Sequence, residues 1–198
     1  MAVLVLAALW KPEQAAVRAG EIAAQLPVQW RARAQRGEGE HALQRRAAYF
    51  LLRQGFWQLS GKQTILPDIL ERRGGKPFFA GESGLHFSLS HTAGLAVCAI
   101  GRCEMGIDAE RLRPVPEERQ RRLQLPGGAA AWTEWTARES RVKRRGGHGL
   151  LCRAPVSPEE DEWVQALPAA RGYAVSLCTQ GRRVAQLQVR ALEEWMRP

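Results

Sequence analysis

Apolar and polar positions along this chain change period several times, and each change marks an expected element. Residues 1–10 are almost wholly apolar and read as a first β-strand. The run is too short to cross a bilayer. No basic residue precedes it and Lys11-Pro12-Glu13 follows at once, which argues against a secretory leader. Over 12–26, Ala15, Ala16, Ala19, Ile22 and Ala23 recur at helical spacing behind Pro12, a residue suited to the first helical turn. Residues 30–39 are basic and interrupted by glycine, the pattern of a loop or the lead-in to a helix. From 41 to 59, Leu43, Ala47, Phe50, Leu51 and Phe56 repeat with helical period, Arg45, Arg46 and Arg53 decorate the same helix, and Gly55 weakens its end.

After a turn at Gly74-Gly75-Lys76-Pro77, the period shortens to that of strands over 85–89 and 95–100, joined across Ser90-His91-Thr92-Ala93-Gly94. A third strand, 103–110, follows the tight turn at Gly101-Arg102. Helical spacing returns over 132–145 and stops at Gly146-Gly147. Residues 157–167 read as a short helix capped by Ser157 with Pro158 behind it, and 172–179 with 183–191 read as a closing β-hairpin. The order is strand, two helices, strands, then strand, helix, strands. That makes an α+β protein of two halves similar in size, 1–102 and 103–198.

The 198 residues suffice for one domain or two small lobes around a shared core, and 45% hydrophobic content is globular rather than disordered. A net charge of +9, much of it arginine, calls for a polyanionic partner: nucleic acid, an anionic membrane, or an acidic protein together with a phosphate-rich ligand. Cys98, Cys103, Cys152 and Cys178 show no Cys-x-x-Cys spacing and read as buried or incidental thiols of a reducing cytoplasm. No run reaches membrane length, so a soluble protein is expected.

The candidate chemistry lies in two short segments. In Gly106-Ile107-Asp108-Ala109-Glu110, an extended backbone turns Asp108 and Glu110 to the same face. In Trp135-Thr136-Ala137-Arg138-Glu139-Ser140-Arg141-Val142-Lys143, helical spacing sets Glu139 beside Lys143. Carboxylates without histidine or cysteine partners suit a hard, oxygen-seeking cation, and an adjacent lysine suits a phosphate held by that cation. Each fragment alone is more often a solvated face or a weak surface ion pair. Trp132 and Trp135, three residues apart, read as packing that orients the helix.

Taken with Gly75-Lys76-Pro77 and Phe87-Ser88-Leu89-Ser90-His91 upstream, these segments form an ordered set of motifs that resembles the Sfp-type 4'-phosphopantetheinyl transferases. The resemblance spans residues 75–147 and is looser outside them. It implies a pseudo-twofold pair of halves with the active site in the seam: an N-terminal half that grips coenzyme A and a C-terminal half that binds metal and carries catalysis. It further implies transfer of the 4'-phosphopantetheine group of coenzyme A to a serine of an apo acyl, polyketide or peptidyl carrier protein, with release of 3',5'-ADP. Asp108, Glu110 and Glu139 would hold Mg2+, Glu139 or a metal-bound water beside it would act as base, and Lys143 would stabilise the transferring phosphates. Lys76, Pro77, Ser90 and His91 would hold coenzyme A, with Arg46 and Arg53, or their neighbour Arg45, on its 3'-phosphate. A two-half chain of this kind would work as a monomer.

Three departures from the family pattern stand out. Ser88 occupies a position where asparagine is commoner. Arg138 replaces a lysine, keeping the charge but not the shape. The stretch between Glu110 and Trp132 is short and rich in Arg, Pro, Glu and Gly, so carrier docking is expected to rest on charge rather than an apolar pocket. Two rival readings carry weight. One is a relative without catalysis that only binds coenzyme A or a carrier. The other is a basic nucleic-acid-binding protein, suggested by Arg31-Ala32-Arg33 and the run from Arg141 to Arg145; no helix-turn-helix, zinc or RNA-recognition signature supports it.

Overall fold

The computed structural model describes residues 2–11, 13, 15–35, 39–61, 64–147 and 154–197. Pro12, the expected helix opener, and Cys152 lie outside them. The chain forms a mixed α+β fold. Strand β1 (Val3–Leu9) leads into helices α1 (Ala15–Gln25), α2 (Val28–Ala34) and α3 (Gly39–Ser60). Short β2 (Ile69–Glu71) and β3 (Pro77–Phe79) precede β4 (His86–Thr92), β5 (Leu95–Gly101) and β6 (Met105–Arg111). Helices α4 (Glu117–Leu123) and α5 (Ala130–Arg144) follow, then β7 (Glu162–Ala166), β8 (Tyr173–Gln180), β9 (Ala185–Ala191) and the single turn α6 (Leu192–Trp195). No helix among the described residues is long and apolar enough to cross a membrane.

Two main sheets, ordered β4-β5-β1-β9 and β6-β8-β7, pack face to face. Alternation along β1 and β5 explains why both strands are apolar at every position. Leu4, Leu6 and Ala8 with Ala96, Cys98 and Ile100 face the helices, joining Ile22, Trp30, Leu43, Phe50 and Leu51 in one core. Val3, Val5 and Ala7 with Leu95, Val97 and Ala99 face the second sheet and meet Met105, Ile107, Ala109, Val175 and Leu177. Helix α5 covers the far face of that sheet, where Trp132, Trp135 and Val142 pack with Leu123 and Ala174. The tryptophans of α5 are therefore core, as their spacing predicts.

Three expected elements differ. Residues 28–34 are helical: Pro27 presets the first turn, and Trp30 is fully buried with its indole N–H on the Pro67 carbonyl at 2.9 Å. Residues 157–167 hold the strand β7 rather than a capped helix, because Trp163 and Val164 pair with Thr179 and Cys178 along β8. Strands β8 and β9 are not a hairpin. β8 is central in its sheet, with β6 and β7 on its two edges, so β9 crosses to the other sheet and runs parallel to β1 from Val3↔Ala185 to Leu9↔Ala191. The expected boundary between 102 and 103 falls at the turn leading to β6, but the chain's last strand and helix return to the first layer.

The seam forms where β4, the edge of one sheet, meets β6, the edge of the other. Phe87 and Leu89 of β4 pack into the helix-side core, so Ser88 and Ser90 turn the opposite way. Their hydroxyls accept the Ile107 and Ala109 N–H groups at 3.0 and 3.2 Å, filling edge donors that would otherwise be buried unpaired. On β6, Gly106, Asp108 and Glu110 alternate onto the α5 face, and Gly106 lets the helix backbone come close. A Cβ there would stand 2.0 Å from the Ser140 carbonyl oxygen and 2.4 Å from the Arg144 nitrogen. Neither is a side chain that can swing aside. Gly106→Ala is therefore expected to lower unfolding free energy by about 3 kcal/mol or more in urea titration. A loss under about 1 kcal/mol would mean that α5 does not sit against β6 this closely.

Candidate functional site

A groove of about 340 Å³ opens along the seam, lined by Arg45, Tyr49, Pro77, Leu89, Ser90, His91, Asp108, Glu110, Glu139 and Lys143. Helix α3 and the end of β4 supply one wall, β6 and α5 the other. A neighbouring hollow of about 450 Å³ shares Pro77, Leu89 and Lys143, and runs past Gly75, Lys76, Phe87 and Gly147. The structure thus gathers every candidate catalytic and metal-binding residue, with Pro77, Ser90 and His91, in one place.

At its centre Lys143 donates to Asp108 Oδ1 at 2.6 Å and to Ser90 Oγ at 3.1 Å, and its Nζ lies 3.9 Å from Glu139 Oε2. Ser90 Oγ donates to the same Asp108 Oδ1 at 2.9 Å. Asp108 is 2% exposed, and its other oxygen, Oδ2, is buried without a hydrogen-bond partner. Burial, then the charge of Asp108, pushes the Glu139 carboxyl up to about 7, against the pull of Lys143. Burial and Asp108 raise Glu110 as well. Burial opposes the charge on Lys143, but Asp108, Glu139 and Glu110 outweigh it and raise its proton affinity. Asp108 and Glu139 thus share one ammonium, while Glu110 feels Arg113 and Arg119 as well as Lys143.

That imbalance is the test for a hard cation. Among the described residues no group of three His, Cys, Asp or Glu side chains stands ready-made to hold a metal. The donor set nonetheless fits one: all-oxygen ligands, an orphaned buried carboxylate oxygen, and a Glu139 whose ionisation is suppressed by burial and then by Asp108, both of which a cation would offset. Across the groove, burial, then Arg45, lowers His91 to about 4, so the imidazole is neutral near pH 7. Its Nδ1–H donates to Gln44 Oε1 at 3.1 Å, which leaves Nε2 as an acceptor in the resting protein.

Several expected ligand groups are engaged elsewhere. Lys76 is buried, and its ammonium donates to Glu104 Oε2 at 2.9 Å, the Met105 carbonyl at 3.0 Å and the Arg144 carbonyl at 2.9 Å. All three donors are used, so it staples the start of β6 to the end of α5 instead of reaching a phosphate. Arg46 donates to the Ala19 carbonyl at 3.0 Å, and Arg53 donates to the Gln25 carbonyl while lying over Phe50 and Trp57. Both tie α3 to α1, away from the groove. Arg45, one residue earlier on the helix, is the arginine that lines it. Ser90, expected on a phosphate, is bound to Asp108. Arg138 also points away. It donates to Glu134 and to the Leu123 and Gln124 carbonyls, closing the C-terminus of α4. The short 111–131 segment is consequently folded onto α5. Val115, Leu123 and Leu125 pack with the tryptophans, and Arg113 and Arg119 lie over Trp132.

Two expectations follow. Lys76→Met leaves Glu104 and two carbonyls short of a donor and should cost roughly 2–4 kcal/mol in urea unfolding. Coenzyme A affinity of the protein that remains folded should stay within about threefold, a change worth under 1 kcal/mol; a stable variant with lost affinity would return Lys76 to a ligand role. The second concerns pH. Glu139 is protonated in both states below its ordinary value of 4.5, so its burial carries no ionisation penalty there. As pH rises the unfolded state ionises first, and the penalty is complete above about 7. Glu139→Gln should therefore stabilise the protein in chelator by roughly 1–3 kcal/mol at pH 8 and by nothing at pH 4. Thermal melts at the two pH values decide, and an equal effect at both would remove the electrostatic compression. No protein-family model and no curated protein matches this chain.

Proposed function

We propose that the seam transfers the 4'-phosphopantetheine arm of coenzyme A to a serine of an acidic carrier protein. The observation that carries this reading is the gathering of Asp108, Glu110, Glu139 and Lys143 opposite Arg45 and His91 in one groove. Carboxylates for a cation, cations for phosphates and a carboxylate placed to take a proton are what phosphoryl transfer to a hydroxyl calls for. The motif resemblance supports the same reaction. A pseudo-twofold arrangement of the two halves belongs to this proposal, each contributing one edge strand, β4 or β6, to the seam.

In this mechanism the diphosphate of coenzyme A lies in the groove. Arg45 and Lys143 offer charge, and His91 can donate to a phosphate oxygen only once its Nε2 takes up a proton, which the diphosphate charge favours. A divalent cation such as Mg2+, held by Asp108, Glu110 and Glu139, would neutralise the diphosphate and polarise the phosphorus under attack. Glu139 takes the proton of the carrier serine as its oxygen bonds to the phosphorus that bears pantetheine. The bond from that phosphorus to the bridging oxygen breaks, and 3',5'-ADP leaves with the electron pair. Lys143 balances charge on the transferring group. Arg111, Arg113, Arg121 and Arg122, exposed in the stretch that follows Glu110, outnumber exposed Glu117 and Glu118 there and supply positive charge that suits an acidic carrier. Both walls come from one chain, which fits a monomer, and the thiols Cys98 and Cys178 are buried and free, which fits the cytoplasm.

The nucleic-acid reading is disfavoured by the same groove, since three carboxylates line its basic surround. Intact-mass measurement of an apo carrier protein incubated with coenzyme A, Mg2+ and this protein separates the readings. A gain of one phosphopantetheine is expected, lost by about a hundredfold or more in rate for Asp108→Asn. No gain with any of an acyl, polyketide or peptidyl carrier would overturn the proposal, and salt-sensitive binding of random oligonucleotides would then support the rival.

A further inference from the structure

The Ser90 hydroxyl has no capacity left for a ligand. It has one proton and two lone pairs. Ala109 N–H and the Lys143 ammonium donate to it at 3.2 and 3.1 Å, and Asp108 Oδ1 is the acceptor for its proton at 2.9 Å. The residue is buried at 6% exposure. These contacts join β4 at one oxygen to the backbone of β6, to the helix α5 and to Asp108, the most buried carboxylate of the groove.

We infer that Ser90 is a positioning residue for Asp108, fixing which carboxylate oxygen faces a divalent cation, and is not a ligand of the phosphate substrate. Oδ1 is occupied by Ser90 and by Lys143, so the carboxylate plane is held at one end and Oδ2 is the free donor. A carboxylate held this way needs no reorganisation to bind a cation, whereas an untethered one can turn its paired face outward. Ser88 supplies the internal comparison. Its hydroxyl accepts the Ile107 N–H in the same edge-to-edge joint, without a bond to Asp108 or Lys143. Removing Ser88 loosens the seam alone, and removing Ser90 loosens the seam and frees Asp108. The inference rests on the proposed metal role of Asp108 but not on the identity of the reaction.

The test is Mn2+ binding to the free protein by isothermal titration, with Ser90→Ala, Ser90→Thr and Ser88→Ala compared with the parent. Ser90→Ala should weaken Mn2+ by about ten- to a hundredfold. Ser90→Thr, which keeps the hydroxyl, should stay within about threefold, and Ser88→Ala should match the parent, both on the ground that only loss of the orienting bond matters. If Ser90→Ala does not fold, Ser90→Cys replaces it, being similar in size with a weak hydrogen-bonding group. Equal losses in Ser88→Ala and Ser90→Ala, or no loss in Ser90→Ala, would overturn the positioning role. The carrier assay gives a second readout: kcat should fall with KM for coenzyme A unchanged, while a rise in KM alone would make Ser90 a phosphate ligand. A chain that transfers no phosphopantetheine but shows the Mn2+ pattern sinks the proposed reaction and leaves Ser90 in this role. One that transfers normally without the pattern does the reverse.

Discussion

The backbone contact between α5 and β6 over Gly106 is the constraint on which the candidate site depends. Two side chains on a helix reach two on a strand only if the elements approach closely, and a β-carbon at 106 would meet main-chain atoms of α5. Because Gly106, Asp108 and Glu110 share one face, the absent side chain at the first position sets the reach at the other two. Lys143 then touches Asp108 at 2.6 Å, and Glu139, one turn away, completes the carboxylate group. The contact is held at its far end by Lys76, bound to the Arg144 and Met105 carbonyls, and laterally by Arg144 on Glu159, Asp161 and Glu162. None of these residues faces the groove with its charged group, yet each fixes the helix that does.

Electrostatically the seam is built against its own stability. Asp108 is buried with one unpaired oxygen, and Glu139 and Glu110 are each pushed toward the protonated form, first by burial and then by Asp108. A fold optimised only for stability would replace such a set with apolar packing. The surrounding scaffold tolerates it because both edge strands are tied through Ser88 and Ser90 and because the two cores on either side of β1 and β5 are continuous and apolar. Strain of this kind, confined to one groove and relieved by added positive charge, supports the proposed cation- and phosphate-binding role.

Much of this was legible in the sequence, and what was missed has common causes. Alternation and helical period found β1, β4, β5, β6, α3 and α5, because those elements bury one face or two against a core that local pattern reveals. The pairing of β9 with β1 was not legible. Ala185, Leu187 and Val189 look like one arm of a hairpin, and only the occupation of both β8 edges by β6 and β7 sends them to a partner at the other end of the chain. In the same way Ser157 and Pro158 form a helix-start signal, while the deciding partner of the following residues is β8. Local signals name an element's own preference and cannot report which edge is left open for it.

The site shows the same limit at the level of single donors. A motif supplies residue types, and Lys76, Arg46, Arg53 and Arg138 all have the charge that a phosphate would want. Whether a cation is available depends on how many of its N–H groups the protein has already used, and that count appears only in three dimensions. Lys76 uses all three on one carboxylate and two carbonyls, Arg46 and Arg53 cap carbonyls of α1, and Arg138 closes α4. Arg45 shows no hydrogen bond or ion pair among the described residues and lines the groove, though no motif singles it out over its neighbour Arg46. Helix geometry makes the difference: a step of about 100° between adjacent residues turns one guanidinium toward α1 and the other toward the carboxylates. Which of the two arginines lines the groove is thus set by which face of α3 packs on α1, a decision made by the apolar residues of α3 rather than by the arginines themselves.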